Sequence, residues 1–357
     1  MRVGIDISFL NTLKEKQGVH RYALGFIREI TKDNKKRFQI YTNSKTYNET
    51  KKKFKNKNID IILLENNYLI LKKFQKLILV LLSFFGIFFY KFNSFFTNIL
   101  NKKNKSIIEK NSDCIIFLNT HEVNYNLKIK KIINFHDLLH ERFPYFFSYS
   151  NLIERKYLYY NSAKYSDIVL ASSEYMKKEF LRYFNFLKKK NILIVREGFD
   201  KKSFRNTSKI ILKKKTNYFF YPAQLWPHKN HLYLFKSLKK MIKINKNIKI
   251  YFCGSKKKYS FKIFDYIKLN RLEKNIIYLG NISQKKLEYY YMHCLAVILP
   301  SIYESSSLVA LEAINYKKPI ISADIPPMNE LNKIFRINIF NLRNEKTLHR
   351  IINSFVK

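Results

Sequence analysis

The strongest constraint on the fold is a succession of short, largely apolar runs separated by longer stretches with helical periodicity. Residues 2–9, 38–41, 59–64, 114–118, 131–135, 168–172 and 192–195 form one series, and 218–221, 248–253, 276–279, 295–299 and 319–322 form a second. Runs that are mostly apolar, such as 192–195 and 295–299, rather than apolar at every second position, suit parallel strands covered on both faces. Between them, 19–30 places Ala23, Leu24, Ile27 and Ile30 on one helical stripe, and 232–244, 261–270, 284–293 and 306–315 also read as helices. The pattern predicts an α/β chain of two doubly wound, Rossmann-like domains facing across a cleft. The expected domains are 1–200 and 201–357, joined near 198–215, where apolar periodicity lapses and lysines run from 213 to 215. A length of 357 residues accommodates two domains of about 100–200 residues each.

Composition excludes several classes. Hydrophobic residues at 46% and charged residues at 26% give a chain that can bury a core, which argues against intrinsic disorder. Cys114, Cys253 and Cys294 form no CxxC pair, so neither a disulfide framework nor a cysteine zinc site is expected, and a reducing cytoplasm fits. Residues 3–7 read as a first buried strand rather than a secretory leader, so a cytoplasmic location is expected. The 68 basic against 26 acidic residues give a net charge of +42, which points to an anionic partner. The basic residues are mainly lysines spread in short runs such as 51–53, 188–190 and 256–258, without the clustered arginines and interleaved aromatics of a nucleic-acid surface. Nucleic-acid binding is therefore the weaker alternative, and much of the charge reads as the compositional drift of an AT-rich genome.

The segment 77–90 departs from the alternation. It is apolar throughout, with Lys72, Lys73 and Lys76 before it and Lys91 after it. It falls short of the roughly 20 residues that span a bilayer. Two readings stand: a buried core helix, or a helix lying in an anionic membrane interface with its lysines at the headgroups.

Four constellations have the residue types that chemistry requires. In the first, Glu304 and Glu312 bracket the start of a helix, and the backbone N–H groups of Ser305, Ser306 and Ser307 would be its unpaired anion-binding donors. Spacing alone suits an N-cap serine and a surface glutamate at least as well. The second, 221–231, follows an apolar strand, and its Lys229 could face a diphosphate or simply solvent. In the third, His136 and Asp137 stand at a strand end, where α/β proteins bind ligands, although for a lone His-Asp pair a satisfied, structural histidine is the better reading. In the fourth, Gly18 would allow close backbone approach at a helix start. No GxGxxG, no GxxxxGK[ST] and no Asp-x-Asp occurs, which counts against simple NAD enzymes, P-loop NTPases and a metal-bridged diphosphate.

Taken in this order, QGVHRYA, HDLLHERFP, ASSEYMKKEF, REGFD, YPAQLWPHKNH, PSIYESSSLVALEA and KKPIISADIPPMNE resemble the family 4 glycosyltransferases, retaining enzymes of the GT-B fold. The resemblance implies transfer of a hexose-like unit, mannose among the candidates, from a nucleoside diphosphate sugar to a saccharide hydroxyl, with no metal or other cofactor. It implies that Glu304 lies against the donor sugar, Glu312 holds the ribose, Lys229 neutralises the diphosphate and His136 contacts the transferred sugar. It further implies donor contacts from Gln224, Ser305, Ser306, Ser307 and Leu308, from Gly18 near the phosphates, and from Ser173 at a helix start. The apolar segment and basic surface add the expectation of a lipid-linked or cell-envelope acceptor, such as lipopolysaccharide, met at the inner face of the cytoplasmic membrane.

Five positions, in three stretches, depart from the family pattern. Gln224 stands where arginine is usual, Ser305-Ser306-Ser307 where Gly-Phe-Gly is usual, and Glu197 where asparagine is usual. A further returning helix, usual in the family, would lie beyond Lys357. The rival expectation is a catalytically weak partner protein that keeps the fold, since fold alone does not establish activity.

Overall fold

The structure is a computed structural model, and it describes residues 1–13, 18–65, 77–78, 80–81, 83, 102–119, 127–196 and 217–356. The chain divides into two compact units, Met1–Asp200 and Lys201–Lys357.

The first unit holds a seven-stranded sheet of β1 (Arg2–Asp6), β2 (Arg37–Thr42), β3 (Ile59–Leu63), β4 (Cys114–Phe117), β5 (Lys130–Asn134), β6 (Ile168–Ala171) and β7 (Ile192–Ile194). The order is β3-β2-β1-β4-β5-β6-β7, with every pairing parallel. The four residues of β4, CIIF, are all buried, as a strand covered on both faces demands. The helix Gly18–Ile30 buries Tyr22, Ala23, Leu24 and Ile27 against the sheet and leaves polar residues outward. Burying a large side chain of this kind contributes about 1.5–3 kcal/mol before chain entropy is counted.

The second unit holds β8 (Phe219–Pro222), β9 (Ile250–Cys253), β10 (Ile276–Tyr278), β11 (Ala296–Leu299), β12 (Ile320–Ala323) and β13 (Asn338–Phe340). The order is β10-β9-β8-β11-β12-β13, again all parallel. Its core includes Phe219, Phe220, Phe235, Phe252, Val297 and Ile298. The helix Glu345–Val356 packs by Leu348 and Ile352, and its His349 Nε2 lies 2.8 Å from the Ser237 carbonyl on the helix His231–Ile244.

Both sheets are therefore α/β and doubly wound, as the apolar runs predict. In each sheet the winding direction reverses about one strand: β1, flanked by β2 and β4, and β8, flanked by β9 and β11. The loops leaving the carboxyl ends on either side of such a reversal diverge and open a crevice, where ligands of this fold class bind.

The structure corrects four sequence expectations. Strand β1 ends at Asp6 rather than at residue 9. The edge strand β13 lies outside every predicted apolar run. Helix Leu308–Asn315 starts two residues later than expected. Long helices at Tyr149–Tyr165 and Lys102–Asn111 stand where the periodicity predicts none. The join at 198–215, Glu197 and most of the 77–90 segment lie outside the described residues. Within that segment Leu77, Ile78, Val80, Leu81 and Ser83 are helical, and Leu77 and Leu81 are exposed. Among the described residues no helix is long and apolar enough to cross a membrane.

Candidate functional site

The reversal at β8 brings Lys229 and Glu304 together. Lys229 leaves β8 on the loop 223–230, and Glu304 leaves β11 on the loop 300–307. The Lys229 ammonium donates to both carboxylate oxygens of Glu304, at 2.7 and 2.8 Å. Their side chains are only 18% and 10% exposed, so the pair sits in the crevice rather than on the outer surface.

Hydrogen bonds hold the two loops in register. The Ile302 N–H donates to the His228 carbonyl (2.9 Å), and the Asn230 side-chain amide donates to the Pro300 carbonyl (3.1 Å). Asn230 is left-handed at φ 57°, a conformation asparagine tolerates better than most residues, and it turns the loop into the helix His231–Ile244. Beneath the loop, Tyr221 donates its hydroxyl to the Lys229 carbonyl at 2.6 Å. Burial pushes the Tyr221 phenol well above its ordinary range, so it remains a donor.

His231 is fully buried against Tyr221, with ring centroids 4.5 Å apart, and packs on Phe235 and Phe252. Among the described residues neither of its ring nitrogens has a hydrogen-bond partner. Desolvation, with a smaller contribution from Lys229, lowers its pKa to about 3 and keeps the ring neutral.

Ser307 caps the helix Leu308–Asn315, its hydroxyl accepting from the Ala310 N–H at 3.3 Å. This corrects the expected donor set. Ser305 and Ser306 precede the cap, so the helix-end donors lie at Ser307, Leu308 and Val309. Glu312 lies one turn further along and is 1% exposed, not a surface glutamate. Its Oε2 accepts from the Tyr291 hydroxyl at 2.7 Å. Gln224 accepts from the Trp226 indole N–H at 3.0 Å, and the Lys257 ammonium lies 5.0 Å from the Trp226 ring centroid.

The remaining expected residues belong to the first unit. His136 follows β5. Its Nε2 faces the Leu118 carbonyl at 2.9 Å, and its Nδ1 faces the Asn134 side-chain amide at 3.3 Å. A carbonyl only accepts, so Nε2 carries the proton and Nδ1 accepts from Asn134. Tyr22 packs edge-on against the imidazole at 5.2 Å. Asp137 accepts from the Leu139 N–H (3.0 Å) and from Arg155 (3.2 Å). Gly18 is the first residue of the helix Gly18–Ile30. Ser173 caps the helix Glu174–Tyr183 by accepting from the Met176 N–H at 3.1 Å.

Two contributors to the β8 site escape sequence reasoning, Tyr291 and Gly254, and the support that Tyr221 gives the Lys229 loop is not legible from the 221–231 stretch. Gly254 follows β9 directly at φ 139°, and a Cβ there would lie 2.4 Å from the Ala223 carbonyl oxygen. A lone glycine directly after a strand is the one signal the sequence offers. Among the described residues, no group of three or more His, Cys, Asp or Glu side chains gathers as a metal cage requires.

Two units, each a doubly wound parallel sheet with its helices, have the α/β, GT-B class of architecture. Residues 203–357 match the family model of glycosyl transferases group 1. No curated protein matches the chain in sequence. Among solved structures, HepE from Anabaena in complex with UDP and glucose aligns with a TM-score of 0.69 at 15% identity, covering 100% of this chain and 90% of that one. WaaG, a glycosyltransferase involved in lipopolysaccharide biosynthesis, aligns at 0.66 and 10% identity, covering 99% and 90%. Sucrose-phosphate synthase from Thermosynechococcus elongatus aligns at 0.69 and 12% identity, covering 100% and 90%. At these identities the likeness is one of fold.

Proposed function

We propose that the chain is a retaining glycosyltransferase that moves a hexose-like unit from a nucleoside diphosphate sugar to a saccharide hydroxyl. The observation that carries this reading is the Lys229–Glu304 pair at the β8 reversal, beside the N-terminus of the helix Leu308–Asn315. An ammonium and a helix N-terminus are a fixed positive environment for a diphosphate. The UDP and glucose bound to the HepE relative support the same donor class.

In this mechanism Lys229 and the Leu308–Val309 N–H groups stabilise the charge that develops on the departing diphosphate. Glu304 lies against the sugar and Glu312 holds the ribose. Gln224 and Ser305 to Ser307 line the donor site, and Gly18 and Ser173 add donor contacts. His136 contacts the transferred sugar through a ring oriented by Asn134 and Leu118. The leaving diphosphate takes the acceptor proton on the face it leaves, so catalysis rests on positioning, with no metal and no covalent intermediate. The acceptor is a lipid-linked or cell-envelope saccharide, met at the inner face of the cytoplasmic membrane. Support for the acceptor comes from the net charge of +42 and the apolar segment 77–90.

A thermal-shift screen with UDP, GDP, ADP and their sugar conjugates tests the reading. A nucleotide at 100 times its Kd adds about 2.7 kcal/mol of stability. A shift with one base, lost in Glu312→Ala, supports the donor site. No shift with any nucleotide overturns it.

A further inference from the structure

A fully buried carboxylate that receives a ligand must be held in one orientation beforehand. Glu312 lies on the helix Leu308–Asn315, while Tyr291 lies on the preceding helix, Gln284–His293. The connections from β10 to β11 and from β11 to β12 wind in the same direction, so the two helices cover the same sheet face side by side. Side chains on a helix lean towards its N-terminus, so the Glu312 carboxylate is carried back towards the Leu308–Val309 donors and the crevice. The Tyr291 hydroxyl meets it there at 2.7 Å and also lies 3.5 Å from the Val309 carbonyl oxygen.

Tyr291 is itself rigid. It is fully buried, stacked on Tyr316 at 5.2 Å and edge-on to Phe220 of β8 at 5.2 Å. A ring wedged between the central strand and a neighbouring aromatic has one place to put its hydroxyl. That hydroxyl fixes the rotamer and plane of Glu312, and so the position of its second oxygen.

We propose that Tyr291 is a positioning residue for nucleotide binding: it anchors one oxygen of Glu312 to the sheet so that the carboxylate is preorganised for the vicinal hydroxyls of the donor ribose. The inference rests on the ribose role proposed for Glu312. A carboxylate anchored in advance loses no rotamer freedom on binding, and the affinity gained persists from ground state to transition state. The effect therefore falls on KM and nucleotide Kd rather than on kcat.

The test is a double-mutant cycle on the full chain, read as calorimetric Kd for whichever of UDP, GDP or ADP stabilises the wild type, alongside donor KM and kcat. Tyr291→Phe retains the ring and its packing. It is expected to weaken nucleotide binding and raise KM about tenfold, with kcat within about twofold of the wild type. In a Glu312→Ala background the same change is expected to add less than about twofold. A Tyr291→Phe protein with wild-type Kd, or one whose effect persists undiminished without Glu312, overturns the positioning role and leaves the donor site standing. A Glu312→Ala protein with wild-type Kd, or a wild type that binds none of the three nucleotides, overturns the ribose role itself.

Discussion

Lys229 and Glu304 neutralise one another across two loops that leave neighbouring strands, with the ammonium 2.7 and 2.8 Å from the two carboxylate oxygens. The cation that a diphosphate would seek is thus already engaged. Replacing Lys229 by alanine removes it altogether. Losing one preorganised group aimed at developing charge costs roughly 2.7–4 kcal/mol of transition-state stabilisation. Lys229→Ala is expected to lower turnover about a hundredfold or more, measured as initial rate at saturating donor. Wild-type turnover would remove Lys229 from the mechanism.

The same pairing sets two demands on Glu304 against each other. Glu304→Gln keeps the shape of the side chain but removes the charge that competes for Lys229. Nucleoside diphosphate binding is expected to tighten, since the ammonium meets the phosphates without first leaving a carboxylate, while transfer slows. Calorimetry with UDP, GDP or ADP and a transfer assay separate the two. Weaker nucleotide binding in Glu304→Gln would show that the pair does not compete with the ligand.

Glu312→Ala is expected to raise donor KM about tenfold or more and to leave kcat nearly unchanged. A hydrogen bond to a ribose is present before and during sugar departure, so its loss is one of uniform binding. Initial rates over a donor series check this. A collapse of kcat at constant KM would move Glu312 from the ribose to the reacting centre.

The sheets are legible in the sequence because a strand covered on both faces must be apolar at every position. β4, with CIIF, and β11, with AVIL, are of this kind. The three residues of β13, NIF, lie at the sheet edge, where one side is unpaired and the apolar demand lapses. Lys229 and Glu304 are legible as strand-end residues, but not as partners, because the parallel pairing of β8 and β11 is what joins them. The cap at Ser307 is hidden among three consecutive serines, each chemically able to serve. The burial of Glu312 is hidden because its partner Tyr291 is 21 positions away on another helix.

Gly254 offers a test of the crevice floor independent of activity. At φ 139°, with the Ala223 carbonyl oxygen 2.4 Å from where a Cβ would stand, alanine meets both backbone strain and a backbone clash. Gly254→Ala is expected to cost about 3 kcal/mol or more of stability. Gly280 is the control: at φ 71° a Cβ there would have nothing within 4 Å, so Gly280→Ala carries only the left-handed penalty of about 1–2 kcal/mol. Urea denaturation of the two variants should rank them in that order. Equal losses would mean that the Ala223 contact is not tight.

His231 makes the fold sensitive to acid. Its pKa falls from 6.5 to about 3 in the folded chain, chiefly through desolvation. The unfolded state therefore binds the proton first. The contribution of the neutral ring is intact above about pH 6.5 and declines as pH falls towards 3, at about 1.4 kcal/mol per pH unit. His231→Phe retains an aromatic ring against Tyr221, Phe235 and Phe252 and removes two buried nitrogens that make no hydrogen bond among the described residues. At about pH 7.5 it is expected to be as stable as the wild type or more so, because no hydrogen bond is lost. Between about pH 6.5 and 4.5 its stability is expected to fall less steeply than that of the wild type. Urea midpoints at about pH 7.5, 5.5 and 4.5 measure both slopes. Carboxylate titration is common to the two proteins and cancels in the difference, so parallel slopes would mean that His231 is protonated in the native fold.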